Sequence, residues 1–247
     1  MIFSAWHLWG AKKGNSAINQ QYIKISIVYN LHFICTQHRE TGVCNSTELH
    51  RIIDGISPEI IFEELPIAIY ETIYKEQIRT TLESDAIKLY LQNKSIDHIP
   101  VDTFERPKHH DENVARLLRD LTESAKRESF NLRRIIDQFD AIVAQKGFSY
   151  LNNESNDKAH EILEIQKQKA LAILNNEWLN EIANADKEII ENRENVILDN
   201  VYRYSKDNEY ETGILFIGAG HRKSMFRKIA DRKKLKKTKI NWILYGA

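Results

Sequence analysis

The chain has 247 residues, 42% of them hydrophobic, and its 35 basic and 35 acidic side chains cancel to a formal charge of zero. A mean hydropathy of -0.48, with no apolar run near the roughly 20 residues that cross a bilayer, excludes a disordered chain and an integral membrane protein. Two cysteines, Cys35 and Cys44, are too few for a disulfide scaffold or a four-cysteine zinc site, so a cytoplasmic protein is expected.

In the first 21 residues, Lys12 and Lys13 follow the apolar stretch instead of preceding it, the reverse of a secretory signal, and no export signal is read. Residues 24–36 are rich in β-branched and aromatic side chains and predict a first strand, closed by the polar turn that carries His38. Asn45 and Glu48 have capping-box spacing ahead of Leu49, Ile52 and Ile53, which predicts a short helix ending at Gly55. Residues 59–65, bounded by Pro58 and Pro66, predict a second buried strand that ends in Glu63 and Glu64. One helix or two follow over 68–92, then a third strand over 96–101 that ends at Asp102. From 111 to 206 the chain has one glycine, Gly147, and no proline. It reads as all helix, with breaks expected at 147–156 and at Asn184–Ala185. Strand signal returns at 213–217, runs into Gly218–Ala219–Gly220–His221 and a helix over 223–230, and ends with a strand over 239–245.

This alternation predicts one α/β domain over 1–247: a mainly parallel sheet flanked by helices, with a long helical insertion or cap between the third and fourth strands. Charge is uneven along it. Residues 222–239 hold ten Lys/Arg and one acid, a run that binds phosphates or nucleic acid if it is free, while 149–212 hold fourteen acids and seven bases. The two stretches either face each other or are solvated separately.

Four expected strands finish in reactive side chains: His38, Glu63 with Glu64, Asp102, and His221. In a parallel sheet these lie along one edge, where α/β sheets form sites. Imidazoles and carboxylates together suit a divalent metal, which activates water and polarises a carbonyl; without metal the same groups serve general acid–base chemistry. Glu63 and Glu64 are rivals, because adjacent strand residues point to opposite faces. Gly218 and Gly220 allow a sharp turn that exposes a helix N-terminus to an anion or oxyanion. Cys35 reads as a buried thiol, the His109–His110–Asp111 string as a solvated helix start, and Trp178, Trp242, Tyr202 and Tyr204 as core or interface residues.

The order of these motifs resembles the TraB/PrgY/Tiki family, within the superfamily that includes erythromycin esterase and ChaN-like proteins. The likeness spans residues 24–247, and across the helical middle it is one of character only. The family hallmark is a pair of Gly-x-x-His motifs with a Glu between them. Gly218–Ala219–Gly220–His221 matches the second motif. Cys35–Thr36–Gln37–His38 matches the first, with Cys35 where the family has glycine. Glu64 fits the family's Val-Glu-Leu segment best, Asp102 its third acidic strand end, and Arg193 the arginine on the helix before the last motif. The resemblance implies a peptidase-like hydrolase using manganese, cobalt or zinc. In that reading His38, Glu64 and His221 hold the metal or orient water, Glu63 or Glu64 takes a proton, and Arg193 stabilises the oxyanion. The substrate is then a peptide or small ester. The alternative is a non-catalytic module that binds a peptide, haem or another ligand in the same cleft; for haem, His32, His38 or Tyr29 are the axial candidates.

Overall fold

The computed structural model describes residues 28–102, 106–235 and 240–246. The N-terminal 21 residues, the start of the expected first strand and residues 236–239 of the basic run lie outside the described residues. Five strands, β1 (Tyr29–Thr36), β2 (Ile60–Glu63), β3 (Asp97–Pro100), β4 (Thr212–Gly218) and β5 (Ile240–Leu244), form one sheet in the order β3-β2-β4-β1-β5. Every pairing is parallel. β1 and β4 run in register from Asn30 opposite Thr212 to Thr36 opposite Gly218, so their carboxyl ends finish side by side.

The first half of the chain supplies α1 (Ser46–Ile56), α2 (Ile67–Glu71), which continues into a π-helical turn at Thr72–Glu76, and α3 (Leu82–Leu91). Asn45 caps α1 by accepting the Glu48 backbone N–H at 2.9 Å, and Thr81 and Ser84 form a reciprocal capping box on α3. The insertion comprises α4 (His110–Glu123), α5 (Arg127–Lys146), α6 (Phe148–Leu151), α7 (Glu154–Leu174) and α8 (Glu177–Asp207). A 3-10 turn at Ala219–His221 then leads into α9 (Arg222–Leu235).

The crossovers β1-to-β2 and β2-to-β3 run one way along the sheet, and those leading to β4 and β5 run back. Right-handed connections therefore put α1 and α3 on one face and α8 and α9 on the other. Side chains agree. Phe33 meets Phe226 of α9 and Phe62 meets Tyr204 of α8, with ring centroids 5.0 and 5.4 Å apart, while Thr36 reaches Glu83 of α3. The direction reverses between β1 and β4, so a crevice opens outside their carboxyl ends.

The insertion carries its own core, with Leu117, Leu121, Leu132, Ala170, Leu171, Leu179 and Ile182 buried between α4, α5, α7 and α8. The break over 147–156 is present: Gly147, at φ 55, ends α5, and Asn153 caps α7. The break expected at Asn184–Ala185 is not. α8 runs through both, and they face solvent, where a mid-helix Asn costs only its propensity. The chain turns at Asn175–Asn176 instead, with Asn175 left-handed at φ 44 and Asn176 capping α8.

The acidic and basic stretches face each other: Arg222 pairs with Asp157, Lys223 with Glu161, Lys228 with Glu194 and Arg232 with Asp199. Cys35 is buried, and burial pushes its thiol far above the ordinary range. The His109–His110–Asp111 string starts α4, as expected, with His109 exposed, but its second histidine is not solvated. His110 is buried and its Nε2 lies 3.0 Å from Asp186, tying α4 to α8. Tyr29 stacks on Tyr210, and the Trp242 indole donates to Tyr202. No helix among the described residues is long and apolar enough to cross a membrane.

Candidate functional site

The end of β2 divides two polar groups. Residue alternation continues past the strand, so Glu64 follows Phe62 toward α8 while Glu63 follows Ile61 toward α3. Arg193 of α8 approaches Glu64: its Nη2 donates to Glu64 Oε1 at 2.9 Å and to Asp102 Oδ2 at 2.6 Å, and its Nε donates to both Asp102 oxygens at 3.2 and 3.1 Å. One guanidinium thus clamps the ends of β2 and β3. Glu64 Oε2 accepts the Gly218 backbone N–H at 2.6 Å, which ties β2 to the end of β4.

His221 continues this network. Its Nε2 lies 3.3 Å from Glu64 Oε1 and its Nδ1 2.8 Å from Glu194 Oε1; Glu194 Oε2 accepts from Ser224 at 2.6 Å and from Lys228 at 3.0 Å. Burial alone would lower the His221 pKa, but hydrogen bonds to Glu194 and Glu64 carry it up to about 9, so the imidazole is charged at neutral pH. Burial would raise Glu64; His221, the Gly218 N–H and Arg193 outweigh it and hold the carboxyl at about 2. Glu194 is likewise held low against burial, by its bonds to His221, Ser224 and Lys228. Three carboxylates and three cations balance here.

Toward α3 the arrangement is looser. Thr36 Oγ1 donates to Glu83 Oε1 at 2.8 Å, and His38 Nδ1 lies 3.2 Å from the same oxygen. The His38 side chain is 57% exposed, and its bond to Glu83 raises its pKa. Glu63 is buried, accepting from the Tyr74 hydroxyl at 2.7 Å and facing His98 Nδ1 at 2.8 Å. Burial, followed by the nearby Glu63 charge, drives the Tyr74 pKa far upward. Between the two groups lies a cavity of about 10 Å³ lined by Thr36, His38, Glu63, Glu64, Leu65, Thr81, Glu83 and Phe216. A wider cleft of about 190 Å³ opens on the other side, with Arg193 and His221 in its wall.

All four sequence-expected strand-end groups therefore reach this edge, and Arg193 joins them. The chain turns out of β4 at Gly218–Gly220, as expected, into the 3-10 turn and α9. Neither glycine has positive φ, Gly218 stands at φ -57, and its N–H binds Glu64 and is not left for an anion. What Gly218 supplies is room, since a Cβ there would sit 3.4 Å from Glu64 Oε2. Cys35, in the glycine position of the first motif, is accommodated by Asn152. This side chain accepts the Cys35 N–H at 2.7 Å and donates to its C=O at 3.0 Å, as a neighbouring strand would. His32 lies within β1, away from this edge, and Tyr29 is in the core.

Whether a divalent ion suits His38, Glu64 and His221 depends on the donors they leave free. Both Glu64 oxygens and both His221 nitrogens are committed to protein partners, and a cation on Glu64 would meet the Arg193 charge 2.9 Å away. In this arrangement the set does not fit the ion. Glu83, Glu194 and Asn152 were not singled out in the sequence. An acid in the first turn of a helix and an acid beside an arginine are ordinary helical residues, and only the fold brings them to the edge. No family model, curated protein or solved structure matches the chain.

Proposed function

We propose that the protein is a hydrolase that activates water at the carboxyl edge of the sheet and cleaves a peptide or small ester. The observation that carries this reading is the convergence of the ends of β2, β3 and β4 on one charge-balanced network, with the end of β1 at a water-sized cavity beside it and a cleft on the other side. His221, charged and in the cleft wall, holds Glu64 through its longest contact, 3.3 Å at Nε2. A carbonyl oxygen that gains negative charge competes for that proton, and Arg193 adds positive potential from the same wall. Glu194 holds the imidazole from behind, and Asp102 holds Arg193.

The test is turnover of 4-nitrophenyl acetate and of quenched-fluorescence peptides by the wild-type protein and by His221→Gln. Turnover that falls about 10²–10³-fold in the folded variant is expected for loss of one oxyanion donor. Equal rates in the two proteins would remove His221 from the site. Binding of a peptide or haem without turnover would favour the non-catalytic module. A divalent metal, which the family resemblance implies, requires Arg193 to leave Glu64. Elemental analysis of the native protein beside the His38→Ala/His221→Ala double variant reads this: near one equivalent of metal in the first and none in the second establishes that rearrangement.

A further inference from the structure

The hydrolase reading needs a base for water, and the carboxylates named by the sequence are occupied. The Glu63 oxygens are taken by Tyr74 and His98, those of Glu64 by Arg193, His221 and Gly218, and those of Asp102 by Arg193. Glu194 is held by His221, Ser224 and Lys228. Glu83 differs. The residue is 8% exposed, its Oε1 is fixed by Thr36 and His38, and its Oε2 is fully buried with no hydrogen-bond partner. Among the described residues it is the only carboxylate oxygen left so, and Glu83 lines the 10 Å³ cavity.

A buried carboxylate oxygen without a partner costs about 1–3 kcal/mol or more, so it is retained where something fills the place. The cavity matches the roughly 10–15 Å³ that one water needs, and its wall offers the two to four polar partners such a water makes.

We propose that Glu83 is the general base of this site and that the cavity holds the attacking water on Glu83 Oε2. This rests on the hydrolase reading above and names a residue outside the motifs that carry the family resemblance. In the step, the water oxygen bonds to the carbonyl carbon as its O–H proton passes to Glu83 Oε2, and the carbonyl π pair moves onto oxygen. When the tetrahedral species collapses, the C=O reforms, the bond to the leaving oxygen or nitrogen breaks, and Glu83 returns the same proton to that atom. One water is consumed, an acid and an alcohol or amine are released, and Glu83 is regenerated. Thr36 and His38 hold Oε1 throughout, which fixes the direction of Oε2.

Two measurements test this. In a high-resolution crystal structure of the wild-type protein, one ordered water within hydrogen-bond distance of Glu83 Oε2 is expected; a dry cavity, or a side chain filling it, overturns the proposal. With 4-nitrophenyl acetate as the probe, Glu83→Gln keeps the shape and removes the base. Its kcat is expected to fall at least about 10²-fold with KM nearly unchanged. If the wild type turns over, His221→Gln is impaired and Glu83→Gln is as fast as wild type, the hydrolase stands and Glu83 is not its base. If the wild type turns over neither ester nor peptide, the hydrolase reading fails and takes this step with it.

Discussion

Glu63 and Glu64 are neighbours in sequence and serve opposite layers of the molecule. On the α8 side, Glu64, Asp102 and Glu194 are matched by Arg193, His221 and Lys228, and the network ties three strand ends to two helices. On the α3 side, an exposed imidazole stands beside a carboxylate oxygen that has no partner. The filled side fixes geometry, because each of its charges would be costly if released. The open side retains unsatisfied bonding capacity, and capacity of that kind is what a substrate or a reacting water uses.

The sharpest way to break this contrast is to remove one charge from the filled side. Arg193→Met takes from buried Glu64 and Asp102 the guanidinium they share and is expected to cost about 3–5 kcal/mol in urea denaturation. Glu83→Gln, on the open side, is expected to cost no more than about 1 kcal/mol in the same experiment. Equal costs would erase the distinction between the two sides.

Stability against pH sharpens it further. Glu64 is held at about 2 against an ordinary 4.5, so its contribution is complete above pH 4.5 and drains as pH falls toward 2. His221 is held at about 9 against an ordinary 6.5, so its contribution is complete below pH 6.5 and drains as pH rises toward 9. Thermal melts should show a plateau between about 4.5 and 6.5, and the alkaline limb should flatten in His221→Gln. An alkaline limb unchanged in that variant would assign it to another group.

Smaller effects probe single contacts. Tyr74→Phe removes a 2.7 Å hydrogen bond to the buried Glu63 carboxylate and should cost about 1.5–3 kcal/mol by chemical denaturation. Gly218→Ala brings a Cβ to 3.4 Å from Glu64 Oε2, and a loss of at most about 1 kcal/mol is expected, the low end for overpacking. A much larger loss would mean that the turn itself requires glycine.

β1, β2, β4 and β5 were legible because each is a short run rich in β-branched or aromatic residues between turn residues, and the reactive residues could be read because they follow the strand ends. His38, Glu64, Asp102 and His221 all stand at the edge where parallel strands put them. Which of Glu63 and Glu64 faces which layer was not legible, since it depends on the side of the sheet to which the crossovers send α3 and α8. Glu83 was hidden for a related reason: as the second residue of α3 it looks like any acid in a first helical turn, and only the β1-to-α3 packing gives it Thr36 and His38. The turn in the insertion falls at Asn175 and Asn176, which carry the left-handed conformation and the cap, and not at Asn184–Ala185, whose composition differs little from theirs and which lie inside α8.

The position of β4 has a consequence for how the molecule is assembled. This strand lies between β1 and β2 and hydrogen-bonds to both, yet it follows the whole helical insertion, and Asn30 finds its partner only at Thr212. During synthesis, β1 and β2 emerge with their central neighbour still unmade, and their facing edges stay open until about residue 218 has left the ribosome. Unpaired edges of apolar strands invite pairing with other chains. A fragment that stops before β4 should therefore aggregate, whereas the insertion, with its separate core, has the means to collapse first and bring the two halves of the sheet within reach of each other.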